Sequence, residues 1–521
     1  MAKTELTTAT TANSATSTAN FDGIAENTLA NETSTPPLWG SARLCYTICA
    51  FLAMVIQLCL RNTLNFVILC MVKHQPVIYD NSTTDAADIA VANSHCGPID
   101  TGSANSTIQR TGDLLWTRNQ EFAVLGTFYY GYLVTLPIAG RLADRFGGKL
   151  LFVHSITAQA VVFMLIPFFA RQSYTGAVIV RIIQGLVAGC GNPALYQLFS
   201  TWAHPTERTA FLSFAYGGYS VGALLVFPIS SFLCKLGWET AFYVVGGVSL
   251  AFGICCHWLV FSKLEDHPRL SKEEYEYLKS SQVKAANSAV PWKAIFTSIP
   301  VYAFIFTHIF HTYGIMVFTL LIPRFFKEAM RLPLSQVGIL SSAPFFGAFI
   351  SKGLTIVSCS IIEKRENLNL TRFRRIVYVV CNLSTVLFIF SIVLSDCQQR
   401  ILVVIFSMCI GMSTDLAFSG AYWPSLLFVA PTYAGLISGI ANCLATVSGF
   451  LAPLGISGIV RHGTKLEWNT VMFTLMASYS LGAAVYGLFG SSKLANWGHL
   501  DKNQNNNQES NNPTTTTTTE A

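Results

Sequence analysis

The stretch Gly140-Arg141-Leu142-Ala143-Asp144-Arg145-Phe146-Gly147-Gly148-Lys149 decides the fold, because it is a short charged segment between two apolar runs, residues 121–139 and 150–170. Each run is long enough to cross a bilayer, which takes about 20 residues of helix. Glycines permit a tight turn and a close approach of two backbones, and Asp144 lies among three cations. We therefore predict a charged bridge that joins two membrane helices at the bilayer surface.

Composition places the whole chain in a membrane. Of its 521 residues, 52% are hydrophobic and 12% are charged, whereas a soluble domain carries about 25% charged residues. The net charge of +6 is small for this length, and the basic residues cluster at helix ends and in a few loops, as in other membrane proteins. We expect a multi-pass protein in contact with the lipid bilayer and no nucleic-acid partner.

About twelve apolar runs are long enough to span a membrane, and the polar segment 263–297 divides them six and six. They predict an all-α membrane protein with twelve transmembrane helices in two pseudo-symmetric six-helix bundles. The N-terminal bundle covers 39–262 and the C-terminal bundle 298–494, while the tails 1–38 and 495–521 are expected to be disordered and cytosolic. The runs lie near 42–72, 119–140, 149–170, 174–201, 209–234, 239–262, 298–325, 337–362, 375–395, 400–424, 430–459 and 469–491.

Charge and glycosylation signals predict the orientation. The loop 73–118 contains two acceptor sequons, at Asn81 and Asn105, and few cations, so it should be lumenal or extracellular. The central loop 263–297 and the connection between helices 8 and 9 are rich in Lys and Arg. Both then lie on the cytosolic side, and the two signals agree.

The chain has fourteen cysteines. Most lie inside apolar runs, Cys70 among them, where we expect them to behave as small buried hydrophobes. Cys96 and Cys397 lie in polar loops and are able to pair, although the sequence leaves that pairing open. No CxxC pair with metal-ligand spacing is present, so we predict no metal site and no cofactor.

The charged bridge resembles the loop between helices 2 and 3 of the major facilitator superfamily of secondary transporters. Further segments, by their order and spacing, resemble its anion and phosphate branch, the family of sialin, the vesicular glutamate transporters and the type I sodium–phosphate cotransporters. The match covers residues 40–495. The segments that carry it are Trp116 with Gln120, then 125–132, 181–186, 202–208, 267–271, 291–301 and 430–442.

The resemblance implies a secondary active transporter of organic or inorganic anions, either phosphate or carboxylates, that works by alternating access and is not an enzyme. It implies a small anionic substrate and a coupling ion, sodium or proton, between which the residues do not decide. We expect a monomer in the plasma membrane or in an endolysosomal or secretory-vesicle membrane. The alternative is a non-transporting or weakly transporting anion sensor or receptor built on the same fold.

Two arginines and a histidine are the candidate substrate-binding residues. A charge at the bilayer centre costs roughly 2.5–3.5 kcal/mol, and Arg61 lies deep in the first apolar run. It matches a family arginine whose planar guanidinium suits an anion, or it snorkels to the lumenal interface. Arg181 matches a second family arginine or only marks a helix end. His311 is either a pH-sensitive anion contact or a neutral histidine bonded between helices, and His308 is expected to be interfacial.

The resemblance also makes the bridge a gating motif. In this interpretation Asp144 pairs with an arginine or caps a helix of the opposite bundle and so holds the cytosolic side closed. The residues of the motif are Gly140, Asp144, Arg145, Gly148 and Lys149.

Two departures from the family concern ion coupling. Ala188 stands where proton-coupled members have a glutamate, which puts that route of coupling in doubt. Asp415 and Lys352 are charged residues that the family does not predict. Because each alone is costly inside a membrane, we predict that they pair within the C-terminal bundle as possible coupling residues, or else face a water-filled vestibule.

One helix is predicted in the central loop. Ser271 and Glu274 have the spacing of a capping box, which predicts a helix from this point to about Ser280. We interpret it as a surface strap between the bundles; the alternative is a helix that docks a partner.

Overall fold

The computed structural model describes residues 36–73, 112–280, 290–362 and 369–497. Within these ranges twelve helices are long and apolar enough to cross a membrane, which confirms the predicted all-α fold. The spans are α1 Ala42–Met71, α2 Arg118–Ala143, α3 Gly148–Gln172, α4 Tyr174–Trp202, α5 Ala210–Cys234, α6 Trp238–Leu259, α7 Ile299–Glu328, α8 Leu334–Thr355, α9 Leu370–Leu394, α10 Cys397–Val429, α11 Ala434–Ile459 and α12 Lys465–Phe489.

Some helices extend beyond their apolar runs because polar residues cap them. Helix α12 begins four residues before the predicted start, since Thr464 and Glu467 form a capping box there. Helix α9 likewise begins at Leu370, where the Asn369 side chain accepts a hydrogen bond from the backbone N–H of Arg372 at 3.2 Å. Hydropathy alone predicts that such a helix starts several residues after its true first residue, because the capped first turn is polar.

The charged bridge is shorter than predicted. Helix α2 continues to Phe146, and the turn consists of Gly147, whose φ of +86° few residues other than glycine adopt. Helix α3 then starts at Gly148. A Cβ at Gly148 would lie 3.0 Å from the carbonyl oxygen of Ala194, so this glycine permits close packing of α3 on α4. The prediction of a ten-residue bridge was wrong, because the charged residues before Gly147 prolong α2 beyond its apolar part.

A disulfide joins α1 to α5 at the ends of these helices next to the loop 73–118, the side that we call lumenal. It links Cys70 to Cys234 with a Cα–Cα distance of 6.3 Å. The prediction that Cys70 is a plain buried hydrophobe was therefore wrong. Cys397 is also disulfide-bonded, but Cys96 lies outside the described residues, and the pairing of these two stays a prediction.

The two bundles contact each other in their lumenal halves. Asn65 Nδ2 donates to the carbonyl of Thr319 at 3.2 Å and Lys327 Nζ donates to the carbonyl of Leu69 at 3.1 Å, in both cases between α1 and α7. Between α5 and α8, Ser231 Oγ donates to a backbone carbonyl at 3.3 Å. These contacts close the lumenal side.

The bundles are separated in their cytosolic halves. Helices α2 and α11 stack Tyr130 on Phe450 in the lumenal half, with ring centroids 4.6 Å apart. Nearer the cytosol, a Cβ at Gly140 of α2, or at Gly435 or Gly439 of α11, would have no other part of the protein within 4 Å. From this separation we infer a cavity between the bundles that opens toward the cytosolic side.

The central loop contains the predicted helix, Lys272–Ser280, which we call the strap helix. The Glu274 carboxylate accepts hydrogen bonds from the backbone N–H groups of Ala42 and Arg43, at 3.2 and 3.1 Å, and so caps α1. The Arg43 guanidinium is fully buried and pairs with Glu274 and with Glu207 at the start of α5. The strap helix is therefore bound to the N-terminal bundle, and its predicted role as a strap between the two bundles stays a prediction.

Several predictions fall on residues that the structure does not describe. These are the glycosylation sites Asn81 and Asn105 and most of the two tails. The chain still packs on the C-terminal bundle where the predicted tail begins, since the Ala495 N–H donates to the carbonyl of Val429 at 2.9 Å.

Candidate functional site

Arg61 of α1 is a half-buried cation in the middle of the membrane span. Its guanidinium carbon lies 5.8 Å from the ring centroid of Tyr219, and its buried Nε has no hydrogen-bond partner among the described residues. Tyr129 and Tyr132 of α2 are also within electrostatic range. Since the guanidinium lies against α2 and α5, the structure does not support snorkelling to the lumenal interface.

Polar groups from α2, α4 and α5 surround this arginine. Asn192 Nδ2 donates to the Tyr132 hydroxyl and the Tyr219 hydroxyl donates to Asn192 Oδ1, both at 3.3 Å. The Tyr216 ring lies 6.0 Å from the rings of both Tyr219 and Tyr196. We call Tyr129, Tyr132, Asn192, Tyr196, Tyr216 and Tyr219 the tyrosine wall. The wall offers hydroxyl and amide groups beside one cation, which is a suitable environment for a small anion.

Arg181 of α4 is buried and its two terminal nitrogens bond to the protein itself. Nη1 donates to Gln184 Oε1 at 2.6 Å and Nη2 donates to the carbonyl oxygen of Arg61 at 2.7 Å. Gln184 in turn donates to the carbonyl of Leu60 at 2.9 Å. Arg181 therefore holds the backbone of α1 in place at Arg61. Its buried Nε, like that of Arg61, has no described partner, and its substrate-binding role stays a prediction.

His311 of α7 is buried among aromatic rings of the C-terminal bundle. Its ring centroid lies 5.6 Å from Phe418, 5.4 Å from Tyr422 and 6.3 Å from Tyr479. Neither ring nitrogen has a hydrogen-bond partner in the part of the chain that the structure describes. The alternative of a histidine bonded between helices is therefore not what the structure shows, and the anion-contact role stays a prediction.

His308, one turn earlier on α7, is the histidine that bonds between helices. Nδ1 lies 2.9 Å from the Tyr422 hydroxyl and Nε2 lies 3.1 Å from Asn442 Oδ1. Its exposed fraction is 5%, so the prediction of an interfacial position was wrong. The sequence did contain a signal for the buried position of His308. His308 and His311 are three residues apart in an apolar helix, so they lie on the same helix face.

Lys352 of α8 and Asp415 of α10 form the ion pair that the sequence suggested. Nζ lies 2.6 Å from Oδ1, and the Lys352 side chain is 34% exposed whereas that of Asp415 is 10% exposed. The Ser419 hydroxyl donates to the backbone carbonyl of Asp415 at 2.7 Å. Ser419 belongs to a π-helical turn, Phe418–Tyr422, which interrupts α10. Such turns occur often at functional sites.

A buried charge network at the lumenal side was missed. Arg324 of α7 donates to Glu121 of α2, and Arg118 of α2 donates to Glu328 of α7. Trp468 Nε1 of α12 donates to Glu328 at 3.1 Å. We call Arg118, Glu121, Arg324 and Glu328 the lumenal gate. Sequence reasoning treated charges at helix ends as topology markers, and partners on different bundles leave no local spacing signal.

The gating motif lies on the open, cytosolic side. Arg145 is exposed, and Lys149 Nζ lies 5.0 Å from the ring centroid of Phe261 within the same bundle. The Asp144 side chain is outside the described part of the structure. The gating role of these residues stays a prediction.

Comparison with known proteins gives consistent matches along most of the chain. Residues 38–453 match the family model of the Major Facilitator Superfamily. Sialin from Homo sapiens is 28% identical over 466 residues, which cover 88% of this chain and 92% of that protein. Vesicular glutamate transporter 3 from Danio rerio is 28% identical over 75% of this chain and 67% of its own length. A Drosophila ananassae protein named for inorganic phosphate cotransport is 26% identical, with coverages of 86% and 92%.

Solved structures agree on the fold. The chain superposes on a D-xylose–proton symporter with a TM-score of 0.60 at 15% identity, covering 87% of this chain and 99% of that one. An inward-open structure of the xylose transporter XylE from E. coli gives a TM-score of 0.57 at 14% identity, covering 86% and 95%. At this identity the likeness supports the architecture and not the substrate.

Proposed function

Because the chain belongs to the Major Facilitator Superfamily, we propose that it is a secondary active transporter of a small organic or inorganic anion that works by alternating access. The observation that carries the proposal is Arg61, a cation inside the membrane span whose guanidinium carbon lies 5.8 Å from the ring centroid of Tyr219 in the tyrosine wall. The relatives named for glutamate and phosphate transport support a carboxylate or phosphate as the substrate.

Anion recognition in this proposal depends on a planar guanidinium in a weakly screened environment. Arg61 donates to the substrate oxygens, and the hydroxyls of Tyr132 and Tyr219 supply further hydrogen bonds. Arg181 assists by fixing the α1 backbone beneath Arg61. From the C-terminal bundle, His311 is the candidate contact, because its ring nitrogens have no described partner.

Alternating access requires the lumenal gate to open and the cytosolic side to close. In the present conformation the lumenal gate joins α2 to α7. At the cytosolic ends of α2 and α11, a Cβ at Gly140 or Gly435 would have no other part of the protein within 4 Å. We propose that the gating motif, with Asp144, Arg145 and Lys149, closes the cytosolic side in the other half of the cycle. Asp144→Asn should then slow turnover without preventing folding.

The relatives of this chain include named transporters, so they give no support to the alternative of an anion sensor. Their names give no indication of an enzyme either, as predicted.

Reconstitution tests the proposal. Purified protein in proteoliposomes should take up at least one anion from a panel of labelled phosphate, glutamate, sialate and urate, driven by an imposed proton, sodium or voltage gradient. Arg61→Ala should abolish this uptake, whereas Arg269→Ala, which removes an exposed cytosolic arginine, should not. Binding of a panel anion without uptake under any gradient would contradict transport and favour the sensor.

A further inference from the structure

The geometry points to a second anion contact at Lys352, coupled to proton uptake by Asp415. In this inference, which rests on the proposed function and names its coupling device, the substrate anion displaces the Asp415 carboxylate from the Lys352 ammonium. Asp415 then takes up a proton. The C-terminal bundle would thus supply the coupling carboxylate that helix α4 lacks, where Ala188 stands.

Lys352 lies on the face of α8 that meets the N-terminal bundle. Phe345 and Lys352 are seven residues apart in the helical segment Ala343–Ile362, so they share one helix face. A Cβ at Gly338 would overlap Ser231 of α5, and the Phe345 ring lies 5.8 Å from that of Phe227 of α5. Lys352 is two turns closer to the cytosol, about 10 Å along the helix, where the bundles separate. Its 34% exposure agrees with a position at the cavity.

Lys352 lies at about the same depth as Tyr219 of the tyrosine wall. Helices α5 and α8 run in opposite directions. Lys352 follows Phe345 by seven residues on α8, and the position at the same depth on α5 therefore precedes Phe227 by seven residues. That position is Ser220. Its neighbour Tyr219 is the residue whose ring lies against Arg61, at 5.8 Å. Lys352 and Arg61 therefore lie at similar depth on opposite bundles, and we infer that both face the cavity.

Asp415 has one charged partner among the contacts that the structure describes. Lys352 Nζ from α8 lies 2.6 Å away, and the Ser419 hydroxyl of the π-helical turn lies 3.4 Å from Oδ2. The Ser419 hydroxyl oxygen also lies 3.2 Å from Thr355 Oγ1 of α8. From α9 the described polar contact to α10 is neutral, between Thr385 and Ser413 at 2.8 Å. Lys352 is thus the cation that contacts the Asp415 carboxylate among the described residues.

Proton and anion binding are mutually favourable at such a pair. An anion that takes the Lys352 ammonium leaves a carboxylate that is only 10% exposed without its counterion, and burial disfavours the charged form of such a group. The carboxylate oxygen then accepts one proton from water. The charge balances, because a monoanion and a proton enter together and the pair remains neutral. By reciprocity, protonation of Asp415 also frees Lys352 for the anion.

The position of Asp415 also connects this event to the rest of the site. The π-helical turn starts three residues after Asp415 and contains Phe418 and Tyr422, whose rings pack on His311. Release of Asp415 from Lys352 therefore acts directly on the segment of α10 that lies against α7.

Proton uptake on anion binding tests the inference. Phosphate, glutamate, sialate and urate are added separately to purified full-length protein in unbuffered detergent solution with a pH-indicator dye. For an anion that binds, the wild type should take up about one proton per anion. Asp415→Asn should still bind the anion and take up none. Asp396→Asn is the matched control, because Asp396 pairs with Lys465 at 2.9 Å outside the cavity, and it should behave as the wild type.

A second variant and a transport assay separate the possible failures. Lys352→Gln should bind the anion at least tenfold more weakly, and proteoliposomes of Asp415→Asn should exchange the anion but no longer accumulate it against a pH gradient. Unchanged proton uptake by Asp415→Asn would overturn the inference and leave anion transport standing. Proton-linked binding by a wild type that transports none of the four would overturn the proposed function instead. Binding of none of the four would count against both.

Discussion

Glu121 of α2 and Arg324 of α7 form an ion pair that joins the two bundles at the lumenal side. Both side chains are nearly fully buried, with exposures of 4% and 2%. Arg118 and Glu328 form a second pair beside the first, again with one partner from each bundle. The lumenal side is therefore closed by paired charges, and each bundle contributes one cation and one carboxylate.

The lumenal gate should open when one partner is removed. Arg324→Met leaves Glu121 buried without its counterion, which typically costs about 3–5 kcal/mol, so the lumen-open state should become populated. Asn65→Cys, a site buried between α1 and α7, should then react with a membrane-impermeant maleimide from the lumenal side. The charge swap Glu121→Arg with Arg324→Glu should restore protection, while Arg171→Met, at an exposed lumenal arginine, should leave labelling at the level of the parent. Equal labelling of all variants would remove the gate from the mechanism.

Anion affinity should depend on the shape of the Arg61 side chain as well as on its charge. Arg61→Lys keeps the charge but loses the planar fork, and hydrogen bonds to charged groups contribute about 1.5–3 kcal/mol. We expect at least a tenfold rise in KM for the transported anion and complete loss of uptake in Arg61→Ala. Uptake kinetics in proteoliposomes measure both. Normal kinetics in Arg61→Ala would place the substrate elsewhere.

Arg181 should affect stability first and affinity second. Arg181→Met leaves Gln184 and the carbonyl of Arg61 without their buried donors, at a cost of about 1.5–3 kcal/mol. The Tm in detergent should fall, and KM should rise less than in Arg61→Lys. A large rise in KM at an unchanged Tm would instead show that Arg181 contacts the anion directly.

The disulfide between α1 and α5 should stabilise the N-terminal bundle. Cys70→Ser with Cys234→Ser should lower the free energy of unfolding by about 2–4 kcal/mol, the usual contribution of a bridge of this kind. Non-reducing mass spectrometry should recover the linked peptide. Cys59→Ser, which removes a free cysteine of α1, is the control and should change the Tm little.

Stability should fall in acid through His267 in the central loop. Its ring lies 5.0 Å from Phe261 and 5.4 Å from Trp202, and this burial lowers the pKa of His267 below its ordinary 6.5. The unfolded chain then binds more protons than the folded one, so stability decreases as pH falls through that value. His267→Gln should flatten the dependence of Tm on pH between about 5 and 8. His257→Gln is the control. If His267→Gln and His257→Gln both kept the wild-type dependence of Tm on pH, this prediction would be contradicted.

The sequence predicted the architecture well because membrane helices have a strong local signal. Runs of about 20 apolar residues seldom occur outside membrane-spanning helices, and the capping box at Ser271 and Glu274 located the strap helix. Helix ends were less well predicted where polar caps such as Thr464 extend a helix. The bridge was predicted to be too long, because charged residues occur in the solvent-exposed end of a helix as readily as in a turn.

The candidate site was predictable only where an unpaired charge inside the membrane would have a high free-energy cost. Lys352 and Asp415 had to be accommodated inside an apolar bundle, and their pairing followed. The partner of Arg181 is a backbone carbonyl, which every residue has and no pattern reveals. Cys70 and Cys234 are separated by 164 positions and resemble the other cysteines of apolar runs, so their bond becomes visible only in the fold.

The cap that Glu274 forms on α1 limits the length of chain that links the moving halves. The strap helix travels with the N-terminal bundle as far as Ser280, and the next helix, Trp292–Thr297, leads directly into α7. The sequence has eleven residues, 281–291, between these two helices, and a chain of that length reaches at most roughly 40 Å. Deleting residues from this stretch of sequence should restrict the excursion of one bundle relative to the other, whereas changes within the strap helix should alter the stability of the N-terminal half alone.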